Sequence, residues 1–259
     1  MPGIRTLATK ADVIYLYDGS FSGFLCCVYE SVYSGVRPIS IETFGNEPIT
    51  LYDIKEITTD EEMAHRVLLS IPKKISREAK CLVETVFLSC LEQKELKMLN
   101  FLMKGYSEGS CVLKKLGDSD VSPLLKAERH LLGEAHLLKG FIRFADYDGY
   151  LAGTITPKNF VLPFISDHFT QRFPDENFMI FDKTHKAALV YQNRHREIIS
   201  VDNIELPPVS EEESRYQTMW KKFYNTVSIQ ARENPKCRMT HMPKRYWENM
   251  LEVKDLLEV

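Results

Sequence analysis

The sequence predicts an α+β protein with a central, largely antiparallel sheet, a helical insertion after the first strand–helix unit and a C-terminal helical arm. Three observations carry that prediction. A short β-branched and aromatic run near the start leads straight into a helical pattern. Helical spacing then holds from about residue 59 to 140. Finally the apolar period drops to two, before helical spacing returns near the C-terminus.

The first element, "VIYLYDGS" at 13–20, is β-branched and aromatic and closes on Asp-Gly, the pattern of a core strand ending in a turn. Ser20 is placed to cap the helix "FSGFLCCVYESVYSG", in which Phe21, Leu25, Val28 and Val32 fall at helical spacing and Gly35 supplies the stop. Residues 36–59 hold two prolines and no sustained helical period, which predicts loop and short extended segments. Four helices in succession follow, in "TDEEMAHRVLLSI", "SREAKCLVETVFLSC", "KELKMLNFLMKGY" and "SPLLKAERHLLGEAHLLKG". Their start signals are Thr59 with Glu62 as a capping box, Ser76 with Glu78 in the first turn, and Ser122 before Pro123 at the first helical position.

After Gly140, "GFIRFADYDGYLAGTITP" predicts a hairpin around Tyr147, Asp148 and Gly149. "NFVLPFISDHFTQRFP" reads as a helix with a proline near its start, and "NFMIFDKTHKAALVYQNRHREIISV" as two or three further strands. The sheet is therefore expected to draw its members from both ends of the chain. Glu211, Glu212 and Glu213 open a last helix, where acidic groups suit the positive end of the helix dipole. The expected domains are a flexible N-terminal extension at 1–12, an α+β core at 13–209 with a helical subdomain at about 59–140, and a C-terminal helix with a basic-aromatic arm at 210–259, packed on the core.

Composition narrows the function classes. A hydrophobic share of 44% and a charged share of 27% exclude a disordered or fibrous chain. No apolar run approaches the roughly 18 to 20 residues of a transmembrane helix, and the start lacks an apolar signal-peptide stretch, so a cytoplasmic protein without a membrane partner is expected. The six cysteines show no C-x-x-C spacing, which predicts reduced, mostly buried thiols, no metal site and no cofactor. Walker A, G-x-G-x-x-G, G-x-S-x-G and kinase signatures are absent. The net charge of −3 exerts no global pull on nucleic acid, so any such binding must come from a local patch.

One such patch exists. Lys221, Lys222, Arg232, Lys236, Arg238, Lys244 and Arg245 face only Glu233 between positions 221 and 247. Lys236, Arg238, Lys244 and Arg245 are candidates for phosphate contacts, and Tyr246 and Trp247 for stacking on bases. The alternative is that the aromatic residues pack the arm onto the body while the cations stay solvated. A second candidate set lies in "ERHLLGEAHLLKGFIRF", where Glu134 and His136 suit acid–base work and Arg143 suits a phosphate or carboxylate. His130 and His136 are six apart, unlike the H-E-x-x-H zinc pattern. His168 and Arg172 sit one helical turn apart, and Asp182 and His185 lie around the next strand end. Together with Glu134 and Arg143 they would form a polar cleft, or an ion-pair network joining helix to sheet.

The stretches "YLYDGSFSGFLCCVYE", "EAHLLKGFIRF", "TPKNFVLPFISDHFTQRF", "FMIFDKTHKAALVY" and "NPKCRMTHMPKRYW" resemble a bacterial family of DNA metabolism or DNA repair proteins with no assigned reaction, over about residues 13 to 249. The resemblance implies a protein encoded beside a radical-SAM protein, with a related domain fused to uracil-DNA-glycosylase-like modules. This chain has no C-x-x-x-C-x-x-C loop and no glycosylase-like module beyond the shared domain, so the resemblance casts it as the radical enzyme's partner. Residues 1–12 fall outside the resemblance. The leading expectation is a DNA-binding accessory factor in repair or modification that works with the radical-SAM partner. The alternatives are an enzyme acting on a nucleotide or nucleic-acid bond through Glu134, His136, Arg143, His168, Arg172 and Asp182, and a docking module for the partner that makes no DNA contact.

Overall fold

The computed structural model describes residues 9–10, 12–46, 49–229 and 234–257 of a chain that divides into two compact units, Met1–His130 and Leu131–Val259. The first unit contains β1 (Thr9–Lys10), β2 (Val13–Tyr17), α1 (Phe21–Ser34), β3 (Val36–Arg37), β4 (Ser40–Thr43) and β5 (Asp53–Glu56). The helices α2 (Glu61–Lys74), α3 (Arg77–Phe87) and α4 (Lys94–Glu108) follow, and the long α5 (Val121–Phe141) begins here. Strand β2 is the middle of a three-stranded parallel sheet ordered β4-β2-β5, and β1 pairs separately with β3. A central parallel strand is covered on both faces, so every residue of "IYLY" at 14–17 is buried and the strand has no polar side.

Local capping follows the sequence closely at some helices. Ser20 Oγ accepts from the Gly23 N–H at 2.9 Å, and Gly35 closes α1 with φ +71°. Ser76 caps α3 by accepting from the Ala79 N–H. At α2 the cap is Asp60, which accepts from the Met63 N–H at 2.9 Å, and not Thr59. The Thr59 hydroxyl is instead drawn to Asp18, donating to its Oδ2 at 2.8 Å. Helix α5 begins at Val121, so Pro123 is the third residue of its first turn, where a missing N–H still costs no helical hydrogen bond.

The second unit contains β6 (Phe144–Asp146), β7 (Tyr150–Ile155), α6 (Leu162–Arg172), β8 (Asn177–Asp182), β9 (Ala187–Gln192), β10 (His195–Ser200), α7 (Glu211–Val227) and α8 (Pro235–His241). Two 3₁₀ turns, Lys244–Asn249 and Lys254–Leu257, complete it. Its five strands run β10-β9-β8-β7-β6, antiparallel except for the β7–β8 pair. The hairpin expected at Tyr147, Asp148 and Gly149 joins β6 to β7, with φ +54° at Asp148 and +86° at Gly149.

Two expectations need correction. The strands of 13–56 and those of 144–200 do not share one central sheet; they form separate sheets over separate apolar cores. Strands near in sequence pair with one another, and the run of helices between the two groups keeps their pairing local. The thiols are also less buried than expected: Cys26 and Cys27 are interior, whereas Cys81, Cys90, Cys111 and Cys237 are exposed. Of the 1–12 extension, Thr9 and Lys10 pair in a ladder, and the greater part lies outside the described residues. Among the described residues no helix is long and apolar enough to cross a membrane.

The core of the second unit joins Leu138 of α5, Ile142 just after it, Ile165 and Phe169 of α6, Phe178, Ile180 and Leu189 of the sheet, and Tyr246, Trp247, Met250 and Val253 near the C-terminus. Because β7 and β8 are parallel and linked through α6, their carboxyl ends lie on one edge of the sheet. The segment after β7 and the loop after β8 both leave from that edge, which in open α/β sheets is where ligands bind.

Candidate functional site

Two carboxylates organise the strand-carboxyl edge of the second unit. The first is Glu134. It belongs to the apolar stripe of α5, beside Leu131, Ala135 and Leu138, so helical periodicity turns a charge inward and leaves it 2% exposed. Such a charge persists only where donors replace water. Five groups do so here. The backbone N–H groups of Lys158 and Asn159 donate at 3.1 and 2.8 Å, and Asn159 Nδ2 donates at 2.6 Å. The Tyr246 hydroxyl donates at 2.8 Å and Arg245 Nη2 at 3.1 Å. Burial alone would raise the Glu134 carboxyl, but the hydrogen bonds outweigh it and hold the group below its ordinary value of 4.5. Burial and then Glu134 itself push the Tyr246 phenol far up, which keeps it a donor.

Glu134 thus ties the segment after β7 to the C-terminal 3₁₀ turn. Thr156 strengthens that tie, donating to the Arg245 carbonyl at 3.2 Å and accepting from Asn249 Nδ2 at 3.2 Å. Both residues expected to stack on bases are consequently interior: Tyr246 is 2% and Trp247 5% exposed, and the indole N–H donates to the Met242 carbonyl. They are core residues and present no free ring face for a base. Arg245 is likewise committed, to Glu134 and to the Tyr246 ring beneath its guanidinium.

The second carboxylate is Asp182, the last residue of β8, which is fully buried. Its Oδ1 accepts from the backbone N–H groups of Thr184 and His185, at 2.9 and 3.1 Å. Its Oδ2 lies 2.7 Å from His185 Nδ1. The Phe160 ring meets the imidazole edge-on at 5.5 Å. Glu134 and Asp182 therefore lie along the same edge, linked through Asn159 and its neighbour Phe160.

The remaining expected cleft residues do not join them. Arg143 makes a two-pronged pair with Glu252, at 2.6 Å to Oε1 and 3.3 Å to Oε2, and donates to the Gly140 carbonyl. Its guanidinium lies over the Trp220 ring, whose N–H also reaches Glu252. Burial would raise the Glu252 carboxyl, but Arg143 and the other donors hold it below the ordinary carboxylate value. His136 is exposed on α5. His168 is half-buried on α6, and burial first, then Lys139 and Arg172, lower its pKa. Arg172 is exposed with its guanidinium over Phe173. The single Glu/His/Arg/Asp cleft is thus replaced by separate hydrogen-bonded sets, because each carboxylate is saturated by donors close to it.

Of the four arm cations expected to contact phosphate, three stand outside any ion pair among the described residues: Lys236 and Lys244 are exposed, Arg238 half-buried. Lys236 and Arg238 belong to α8, capped by Asn234, and Lys244 opens the 3₁₀ turn with its ammonium over Trp247. Lys221 is paired with Asp255, and Arg232 lies outside the described residues. At the strand-carboxyl edge, Lys158 is exposed, and Lys183 is exposed in a loose 3.4 Å pair with Glu248. Sequence reasoning missed Glu252, Lys158 and Asn159. Lys158 and Asn159 act largely through backbone N–H groups, which no side-chain pattern reports.

Among the described residues no group of three or more His, Cys, Asp or Glu side chains is placed to hold a metal ion. A protein-family model described as "Domain of unknown function (DUF4130)" matches residues 92–252, more than half of the chain. No curated protein and no solved structure matches the chain.

Proposed function

We propose that this protein, which belongs to the DUF4130 family, is a nucleic-acid-binding accessory factor of DNA repair or modification that grips phosphates through Lys236, Arg238 and Lys244. The observation that carries this reading is the set of three cations without ion-pair partners, mounted on a segment whose aromatic residues are anchored in the core. Cations held on a fixed backing neutralise phosphates and release counterions, which gives salt-dependent and sequence-tolerant affinity. Recognition then rests on the phosphate backbone, since Tyr246 and Trp247 face inward.

The test is fluorescence anisotropy of labelled single- and double-stranded DNA over a salt series. Each phosphate contact contributes about 0.9 to the salt slope on duplex and about 0.7 on single strands. The triple variant Lys236→Ala/Arg238→Ala/Lys244→Ala should therefore reduce the duplex slope by about 2 to 3 units. An unchanged slope in a folded triple variant rejects the assignment.

A protein partner of the radical-SAM class, which the sequence resemblance implies, has a separate observation in its favour. Tyr216, Met219, Phe223 and Val227 recur at helical spacing on α7, and each is 58 to 62% exposed. An exposed apolar stripe of this kind is characteristic of a protein contact. Co-elution with a radical-SAM protein encoded beside this one should be lost in Met219→Lys/Phe223→Lys. Co-elution that survives the double change would remove α7 from the contact.

A further inference from the structure

Of the groups on the strand-carboxyl edge, His185 is the one whose ring is held by a buried carboxylate. Asp182 is fixed in turn by two backbone N–H groups, so the carboxylate cannot swing away from the ring. Its Oδ2 at 2.7 Å accepts from Nδ1–H, and that selects the tautomer in which Nε2 carries the lone pair. Nε2 makes no hydrogen bond among the described residues, and the His185 side chain is 29% exposed although its partner is fully buried. The Phe160 ring walls the imidazole on one side. One nitrogen locked by a buried carboxylate and the other free at the surface is the arrangement in which an imidazole works as a general base. Lys183 stands two residues away in the same loop, and Lys158 adjoins the Asn159–Phe160 segment.

The geometry points to a second role for this edge: His185 is a general acid–base centre, positioned by Asp182, that hydrolyses a phosphodiester whose phosphoryl oxygens are held by Lys158 and Lys183. This inference rests on the nucleic-acid reading above, because it takes its substrate class from it. In the step, Nε2 removes a proton from water as the water oxygen bonds to phosphorus. The bond from phosphorus to the leaving oxygen breaks, and the leaving alkoxide takes the proton back from the imidazolium. One phosphodiester and one water give one phosphomonoester and one alcohol, with no change of oxidation state. His185 would be the catalytic residue and Asp182 a positioning residue.

The experiment uses the purified full chain in buffer with a chelator, since the step requires only water. Two probes are used: bis(4-nitrophenyl) phosphate, a small diester that does not depend on the arm, and end-labelled single- and double-stranded DNA. Wild type should release 4-nitrophenol, and His185→Ala should lower kcat by about 100- to 10,000-fold. Added imidazole should restore part of the His185→Ala rate. Asp182→Asn should lower kcat with KM unchanged, which a merely structural role would not do. His185→Gln, at a partly exposed position, serves as the variant least prone to misfold, and circular dichroism checks every variant.

Failure of wild type to cleave either probe, or a His185→Ala rate equal to wild type, overturns the proposal. The two readings fail separately. DNA affinity without cleavage removes the dyad and leaves binding intact. Cleavage of the small diester without DNA affinity keeps the dyad and removes the nucleic-acid assignment.

Discussion

Glu134→Ala is expected to lower the stability of the second unit by about 3–5 kcal/mol, the range for breaking a buried ion pair by removing one partner. The carboxylate satisfies five donors at once, among them two backbone N–H groups that have no alternative acceptor of comparable charge. Removing it leaves those groups, the Tyr246 hydroxyl and Arg245 short of an acceptor around a cavity. Glu134→Gln separates shape from charge: the amide keeps the volume but turns a donor toward groups that are all donors. It should recover only a minor part of the loss. Urea unfolding, followed by Trp fluorescence and by circular dichroism, measures both, and a Glu134→Ala midpoint equal to wild type would sink the role of this residue as a tie.

The same carboxylate sets the pH dependence. The folded-state pKa of Glu134 lies below its ordinary value of 4.5, and so does that of Glu252 beside Arg143. A depressed folded value means that the stabilisation is complete above the unfolded pKa and is lost as pH falls through the folded values. These two carboxylates therefore add no pH dependence above about pH 5, and the unfolding midpoint should fall steeply below about pH 4.5, with a shallower fall in Glu134→Gln.

Trp247→Ala is expected to cost about 3–5 kcal/mol, as for large-to-small changes at buried aromatic sites. The ring is 5% exposed in the core built from Leu138, Ile165, Phe178 and Leu189, and its N–H bond to the Met242 carbonyl holds the turn that carries Lys244. The prediction distinguishes a core indole from one available to bases. A stacking indole would lose about 1–3 kcal/mol of DNA affinity on truncation, with stability unchanged. The core indole should lose stability first, and DNA affinity should fall only as the arm loosens. Thermal unfolding and anisotropy on the same variant read the two effects independently. A stable Trp247→Ala protein with weakened DNA binding would return the ring to the surface role.

What the sequence alone determined is local. The β-branched run before Asp-Gly made β2 a strand, the serines and Gly35 bounded helices through side-chain caps and a left-handed stop, and the change of apolar period marked where helices gave way to hairpins. Glu134 stood out as a candidate acid–base group beside His136, and the one-signed run of cations stood out in the arm.

Only the tertiary structure decided which strands paired, which side chains met and which aromatics were inside. Separate sheets replaced one because pairing partners are chosen by proximity in the folded chain, to which the period of a single strand is blind. Arg143 found Glu252 rather than Glu134, and Glu134 found Arg245, because residues more than a hundred positions apart were brought together by core packing. Tyr246 and Trp247 follow basic residues in sequence yet lie in the core, because the Tyr246 hydroxyl is drawn to buried Glu134 and the indole N–H to the Met242 carbonyl, while the long Lys244 stem lets its ammonium stay at the surface over the Trp247 ring.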